Sequence, residues 1–105
     1  ALKISIELYE LALSADFKKD YSFCDQFKRS ILSITSNIAE GFERATRKDF
    51  ARFLDQAKGS SGEVRSMLYA ATDLGYVGEE DAAPLRNQFE QLSKSIASLT
   101  RHLRS

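Results

Sequence analysis

Six apolar side chains, Phe23, Phe27, Ile31, Ile34, Ile38 and Phe42, recur at intervals of four, four, three, four and four. That spacing keeps them on one side of a 3.6-residue helix but would scatter them over both faces of a strand, so this stretch is committed to an amphipathic helix. At 1.5 Å per residue the ridge is about 30 Å long. Helices of this kind gain most of their stability by burying the apolar face rather than from intrinsic propensity, so the ridge needs other ridges to pack against. The chain supplies them. Phe50, Phe53, Leu54, Ala57, Val64, Met67, Leu68, Ala71 and Leu74 continue the helical period from Thr46 to a stop at Gly75. Leu85, Phe89, Leu92, Ile96, Leu99 and Leu103 form a last seam. At the start, Leu2 to about Ala15 carries Ile4, Leu8, Leu11 and Ala15 on one face, with Ile6, Tyr9 and Leu13 on another. No segment alternates as a strand would. The pattern predicts an all-α chain, one domain over residues 1–105, folded as an up-down-up-down antiparallel four-helix bundle.

Local signals set the expected boundaries. Asp16 to Ser22 reads as a connection, and Asp20 or Ser22 is the N-cap of a second helix running from Phe23 to about Glu43. Thr46-Arg47-Lys48-Asp49 is a capping-box variant that opens the third helix, and Gly75 takes the left-handed position that ends it. Glu79 to Asp81 place three carboxylates at the positive end of the fourth helix. Pro84 is best tolerated in a first turn, which favours a start near Asp81. Gly59-Ser60-Ser61-Gly62 interrupts the third helix at a propensity cost of about 1 kcal/mol per glycine. A phosphate-binding loop would end in Gly-Lys-Ser/Thr and follow a strand. The expected reason for the glycines is instead the admission of a neighbouring helix.

Composition excludes several functions. Fifteen basic and fifteen acidic side chains cancel, so the chain as a whole lacks a cationic footprint. One cysteine, Cys24, and one histidine, His102, cannot build a protein-only zinc site or a disulfide framework, and no metal or cofactor is expected. Cys24 reads as an inert buried thiol and His102 as solvent-facing near a chain end. A di-iron bundle needs Glu-x-x-His from two helices, which one histidine does not supply. Glu40 and Glu63 offer carboxylates without a nucleophile or an oxyanion donor set, so the chain reads as a non-enzyme. No apolar run reaches the roughly 20 residues of a membrane span. The opening Ala-Leu-Lys-Ile-Ser has neither a signal-peptide layout nor an initiator Met, as in a chain that begins inside a longer product. The expected setting is cytoplasmic, with no membrane partner.

One succession of motifs is more specific than any bundle requires. Ser36-Asn37-Ile38-Ala39-Glu40-Gly41-Phe42-Glu43-Arg44 is followed by Phe50-Ala51-Arg52-Phe53-Leu54, then Ala57-Lys58-Gly59-Ser60-Ser61-Gly62-Glu63, then Leu74-Gly75-Tyr76. From Asp25-Gln26-Phe27-Lys28-Arg29 onward this order and spacing resemble the bacterial four-helix bundle protein family. That family includes proteins encoded in intervening sequences of 23S ribosomal RNA genes, once classed as ribosomal protein S23. It also includes the accessory variability determinant of diversity-generating retroelements. The chain differs in having no Trp, in carrying Thr35 where the family often has Pro, and in being neutral where retroelement members are basic. The resemblance implies a homopentamer, with bundles arranged as a barrel around a channel. Apolar residues off the main seams, Ile6, Tyr9, Leu13, Phe17 and Tyr69, fit self-association.

Two groups of residues are candidates for function. Asn37 and Glu40 on the second helix, with Gly41, oppose Gly59, Ser60 and Glu63 on the third. They form either a polar ligand pocket or a network closing the turn, with Glu40 holding Arg44 and Glu63 an Arg or Ser across the helices. The second group is basic. Residues 21–58 hold seven basic and five acidic side chains, 59–83 one and five, and 84–105 four and one. Arg44, Arg47, Lys48 and Arg52, joined by Lys28 and Arg29, form a candidate strip for RNA or DNA phosphates, multiplied around a ring. The interleaved Glu43, Asp49 and Asp55 favour a solvated, internally paired face, and the alternative partner is another protein. Tyr21, Tyr69 and Tyr76 read as packing or helix-end residues before base-stacking ones.

Overall fold

A computed structural model describes residues 19–105 of the chain. Three helices occupy them: α1 (Tyr21–Phe42), α2 (Arg47–Asp73) and α3 (Glu79–Arg104). The described residues are all-α, and the helix expected over Leu2 to Ala15 lies outside them.

Contacts between the helices fix their directions. Gln26 meets Glu63, Ser33 meets Ser60, and Gly41 meets Phe50, so α1 and α2 are antiparallel. Phe89 and Ser93 meet Ser61, and Arg104 meets Asp55, so α2 and α3 are antiparallel as well. Helix α2 packs against both of the others. The main core joins Cys24, Phe27, Ile31 and Ile34 of α1 to Val64, Leu68 and Ala71 of α2, with Val77 and then Ala82, Leu85 and Phe89 of α3. A smaller cluster of Leu54, Ala57 and Ile96 continues toward the other end, bridged by Ile38 and Leu92. Full burial of side chains such as Phe27, Phe89 and Leu68 contributes about 1.5–3 kcal/mol each.

Most helix ends follow the local signals. Asp20 caps α1, its carboxylate accepting from the Phe23 amide at 3.1 Å. Thr46 caps α2 by accepting from the Asp49 amide at 3.1 Å. Gly75, at φ 77°, ends α2 in a Schellman arrangement: Tyr76 N–H donates to Ala71 C=O at 2.9 Å and Gly75 N–H to Thr72 C=O at 3.1 Å. The start of α3 differs from expectation. It begins at Glu79, with Asp81 and Ala82 N–H both donating to Gly78 C=O, so Pro84 sits in the second turn. The carbonyl that Pro84 leaves without an N–H partner belongs to Glu80, an exposed residue, and water can solvate it.

The seams also shift. Phe42 is 68% exposed, Leu74 55% and Leu99 36%, although the periodicity places all three on buried ridges. In α3 the buried line is Ala82, Leu85, Phe89, Ser93, Ile96 and Thr100. Ser93 and Thr100 are small enough to let α2 approach closely. Their hydroxyls are satisfied, by Ser61 at 2.9 Å and by Ile96 C=O at 2.8 Å, which removes the desolvation cost of burying them. Of the off-seam apolar residues, Tyr69 is 58% exposed, and Ile6, Tyr9, Leu13 and Phe17 lie outside the described residues.

Candidate nucleic-acid interface

The corner between α1 and α2 is built on Gly41. This residue is buried, and a Cβ placed on it would lie 2.9 Å from Phe50 Cδ1 and 3.3 Å from Phe53 Cβ. A methyl there would force a neighbour to shift, so glycine lets the first turn of α2 close onto the last turn of α1. The Glu43 and Arg44 amides donate back to Glu40 and Gly41 carbonyls at 3.2 Å, tightening the end of α1.

This tight corner gathers four of the six candidate cations. Arg44 is paired with Glu40, as the turn-closing reading expects, and its guanidinium lies 4.9 Å from the Phe53 ring centroid. Arg52 also lies 4.9 Å from that centroid and reaches Asp49 at 3.8 Å. Arg47 donates to the last carbonyls of α3, His102 C=O at 2.9 Å and Leu103 C=O at 3.2 Å, a cation at the negative end of that helix. Lys48 is exposed and makes no ion pair among the described residues. The end of α3 adds Arg101 and Arg104, the latter paired with Asp55. Lys28 and Arg29 do not belong to this group. Lys28 lies about 20 Å back along α1 from Phe42, and Arg29 is engaged by Asp25 at 2.9 Å. The expected continuous strip is therefore two separate places, because fourteen residues of helix intervene.

The polar quartet does not converge on one pocket. Ser60 shares a 2.8 Å hydrogen bond with Ser33, whose carbonyl and hydroxyl accept from Asn37 at 2.8 and 3.1 Å. Glu63 accepts from the Gln26 amide at 2.6 Å, in place of the Arg or Ser expected. Glu40 turns to Arg44. Of these, the Ser33–Ser60 and Gln26–Glu63 bonds fasten α1 to α2 at two levels, while those of Asn37 and Glu40 stay on the α1 side. The expectation that Gly59 and Gly62 admit a neighbouring helix is not met by α1 or α3, since a Cβ on either glycine would meet no described atom within 4 Å. The sequence reading missed Gln26 and Ser33 as partners, and Ser61 as a buried link. Ser61 falls at the core spacing of Leu54, Ala57, Val64 and Leu68, which was the available signal.

Other candidates resolve into structural roles. Tyr76 donates its hydroxyl to Asp20 at 2.8 Å and stands edge-on to Phe23, with ring centroids 5.7 Å apart. The Phe23 amide, then the Tyr76 hydroxyl, hold the Asp20 carboxyl below its usual range, and the bond to Asp20 pushes the Tyr76 phenol up. Tyr21 is 85% exposed, Cys24 is buried and His102 is exposed. A groove of about 280 Å³ between α2 and α3 is lined by Arg65, Tyr69, Ala83, Arg86, Asn87 and Glu90. There Arg86 pairs with Glu79, its Cζ lies 4.2 Å from the Tyr69 ring centroid, and its buried Nη1 has no hydrogen-bond partner among the described residues. Among the described residues no cluster of three His, Cys, Asp or Glu side chains could hold a metal, and no helix is long and apolar enough to cross a membrane.

Comparison with known proteins adds three findings. Residues 1–98 match the family model described as 23S rRNA-intervening sequence protein. Among solved structures, the chain is similar to a crystal structure of a protein of unknown function from the S23 ribosomal protein family of Bacteroides thetaiotaomicron VPI-5482. The two are 24% identical with a TM-score of 0.82, over 94% of this chain and 89% of that one, a likeness that shows a shared fold. No curated protein matches the chain.

Proposed function

The chain belongs to the 23S rRNA-intervening sequence protein family, and from that premise we propose that it is a non-enzymatic, oligomeric bundle that binds RNA or DNA through phosphate contacts at its basic end. The observation that supports this reading is the corner itself. It brings Arg44, Arg47, Lys48 and Arg52 together beside Arg101 and Arg104 at the end of α3, with Lys48 uncommitted. In this reading a first helix over Leu2 to Ala15 completes an up-down-up-down four-helix bundle. Five bundles form a ring, and fivefold repetition multiplies a modest local charge. Binding through phosphates is blind to sequence and weakens steeply as salt rises. Filter binding of a structured RNA at about 50 mM salt tests it, because electrostatic binding is strong there. Absence of retention refutes nucleic-acid binding. Light scattering tests the ring, which requires five times the 11.8 kDa chain mass.

A second reading has its own support. Arg44, Arg47 and Arg52 already have partners within the chain, which suits a scaffold whose charges keep it solvated and whose ligand is another protein. A reverse transcriptase is the kind of partner that the family resemblance suggests. Replacing Arg44 and Arg47 with Glu separates the two readings: RNA retention is lost in the first, and a protein partner stays bound in the second.

A further inference from the structure

We propose that Phe42 is a stacking platform for an unpaired nucleobase, so that the α1–α2 corner takes single-stranded RNA or DNA in preference to a duplex. The inference rests on the phosphate-binding reading above and adds to it the form of nucleic acid bound. Phe42 closes the apolar ridge of α1 in sequence, yet its side chain is 68% exposed, so it contributes little to the core. Its ring is nevertheless held in place. Phe50 backs it with centroids 5.0 Å apart at 48°, and Phe50 is itself seated against Gly41. A ring already fixed loses little freedom when a ligand stacks on it. The neighbouring ring, Phe53, has the guanidinium groups of Arg44 and Arg52 over it, each 4.9 Å from the centroid. An exposed phenyl and the guanidinium groups associated with a second phenyl therefore belong to one α1–α2 corner, and Lys48 in the first turn of α2 adds a cation with no ion pair among the described residues. Sequence-tolerant single-strand binders use this combination: aromatic rings stack the bases and cations follow the phosphates. Paired bases in a duplex are already stacked and present no free face to Phe42.

Charge argues against the same corner of a second copy as the occupant. A twofold contact centred on Phe42 would bring Arg44, Arg47, Lys48 and Arg52 of both copies together, opposing like charges. A polyanion gains from the same arrangement.

Fluorescence anisotropy of one labelled RNA, as a single strand and as its duplex, at about 50 mM salt, tests the inference with wild-type, Phe42→Leu, Phe42→Trp and Lys48→Glu proteins. Circular dichroism confirms that each variant is folded, and light scattering gives its mass. The wild type is expected to prefer the single strand. Phe42→Leu keeps apolar bulk but removes the ring, and should weaken single-strand binding roughly 5- to 150-fold while leaving duplex binding and the salt slope unchanged. Phe42→Trp should retain single-strand affinity, and Lys48→Glu should weaken both forms. A folded Phe42→Leu protein that binds the single strand as tightly as the wild type overturns the stacking role and leaves the phosphate reading standing. A wild-type preference for the duplex does the same. A drop in mass on Phe42→Leu assigns the ring to a copy–copy contact and also overturns the inference. Failure of the wild type to bind either form removes the phosphate reading itself.

Discussion

Replacing Gly41 with Ala tests whether the close approach at the α1–α2 corner is real. By helix propensity alone the change should stabilise, since glycine inside a helix costs about 1 kcal/mol relative to alanine. Packing opposes this. The new methyl would sit 2.9 and 3.2 Å from two Phe50 ring carbons and 3.3 Å from Phe53 Cβ, all inside the 3.5–4.0 Å optimum for carbon contacts. The Phe50 ring can give way only by losing its seat against Phe42. Phe53 Cβ is anchored to the backbone, so relieving that contact means shifting α2. Overpacking of this kind costs about 1–3 kcal/mol, and after the propensity gain a net loss of roughly 0–2 kcal/mol remains. Gly59 and Gly62 are internal controls. A Cβ on either meets nothing described within 4 Å, so Gly59→Ala and Gly62→Ala should each gain up to about 1 kcal/mol. Urea unfolding at one fixed protein concentration reads the difference as midpoint shifts of opposite sign at constant slope. If Gly41→Ala rises in stability alongside Gly59→Ala, the corner is looser than these distances say. If Gly59→Ala or Gly62→Ala loses stability instead, another surface packs on that face of α2.

Four further outcomes are expected. The Asp20 carboxyl has a folded pKa below the ordinary 3.8, so its contribution to stability is present above that value and is lost as pH falls through the folded value. The thermal unfolding temperature should therefore fall at acid pH more steeply in the wild type than in Asp20→Ala, and equal slopes would count against the cap. Tyr76 has the opposite sign: its folded pKa is raised above 10.0, so its contribution is complete below 10.0 and disappears as pH climbs through the folded value, an alkaline loss that Tyr76→Phe should lack. Ser61, fully buried between α2 and α3, donates to Phe89 C=O at 3.1 Å or to Ser93 at 2.9 Å. Ser61→Ala should cost about 1–3 kcal/mol in urea unfolding by stranding buried polar partners, and a neutral result would show that Ser93 finds another acceptor. Arg47→Ala uncovers the His102 and Leu103 carbonyls, so amide exchange should accelerate through the last turn of α3 and nowhere else.

The sequence was most legible where one physical rule acts alone. The Thr46 cap, the Gly75 stop and the apolar period of α1 from Phe23 to Ile38 each follow from local backbone geometry, and the structure places them as expected. Legibility fell where two rules compete. A hydropathy seam puts Leu99 inside and Ser93 outside. Close approach of α2 reverses that order, because a serine whose hydroxyl is satisfied packs nearer than a leucine can. Phe42 falls in the ridge by sequence for the same reason: periodicity shows which side a residue faces but not whether the partner helix extends that far. The candidate site was half legible. Arg44, Arg47, Lys48 and Arg52 lie close in sequence and stay close in space, whereas Lys28 and Arg29 share a helix with the corner and are still about 20 Å from it along that helix. Neither the cross-helix link from Gln26 to Glu63 nor the binding of α3 carbonyls by Arg47 carries any local sequence signal.

A net charge of zero is the strongest sequence argument against a nucleic-acid role, and the fold changes its weight. Antiparallel packing sorts the charged windows by position. Arg44, Arg47, Lys48, Arg52, Arg101 and Arg104 fall at the end where α1 stops, α2 starts and α3 stops, while Asp73, Glu79, Glu80 and Asp81 fall at the opposite end. The 26 residues of α3 separate these ends by about 39 Å. The Debye length is about 10 Å at 0.1 M salt, so an anion at the basic end is largely shielded from the acidic one. What a phosphate backbone meets is therefore the local excess of cations at the corner, reduced by Glu40, Glu43, Asp49 and Asp55, and not the sum over the chain. Reversing the acidic end, with Glu79→Lys and Glu80→Lys, should accordingly change RNA affinity far less than Lys48→Glu does, although it raises the formal charge by four where Lys48→Glu lowers it by two. Equal and opposite effects per unit charge would mean that the whole molecule acts as a single point charge, and the corner would lose its claim to be a site.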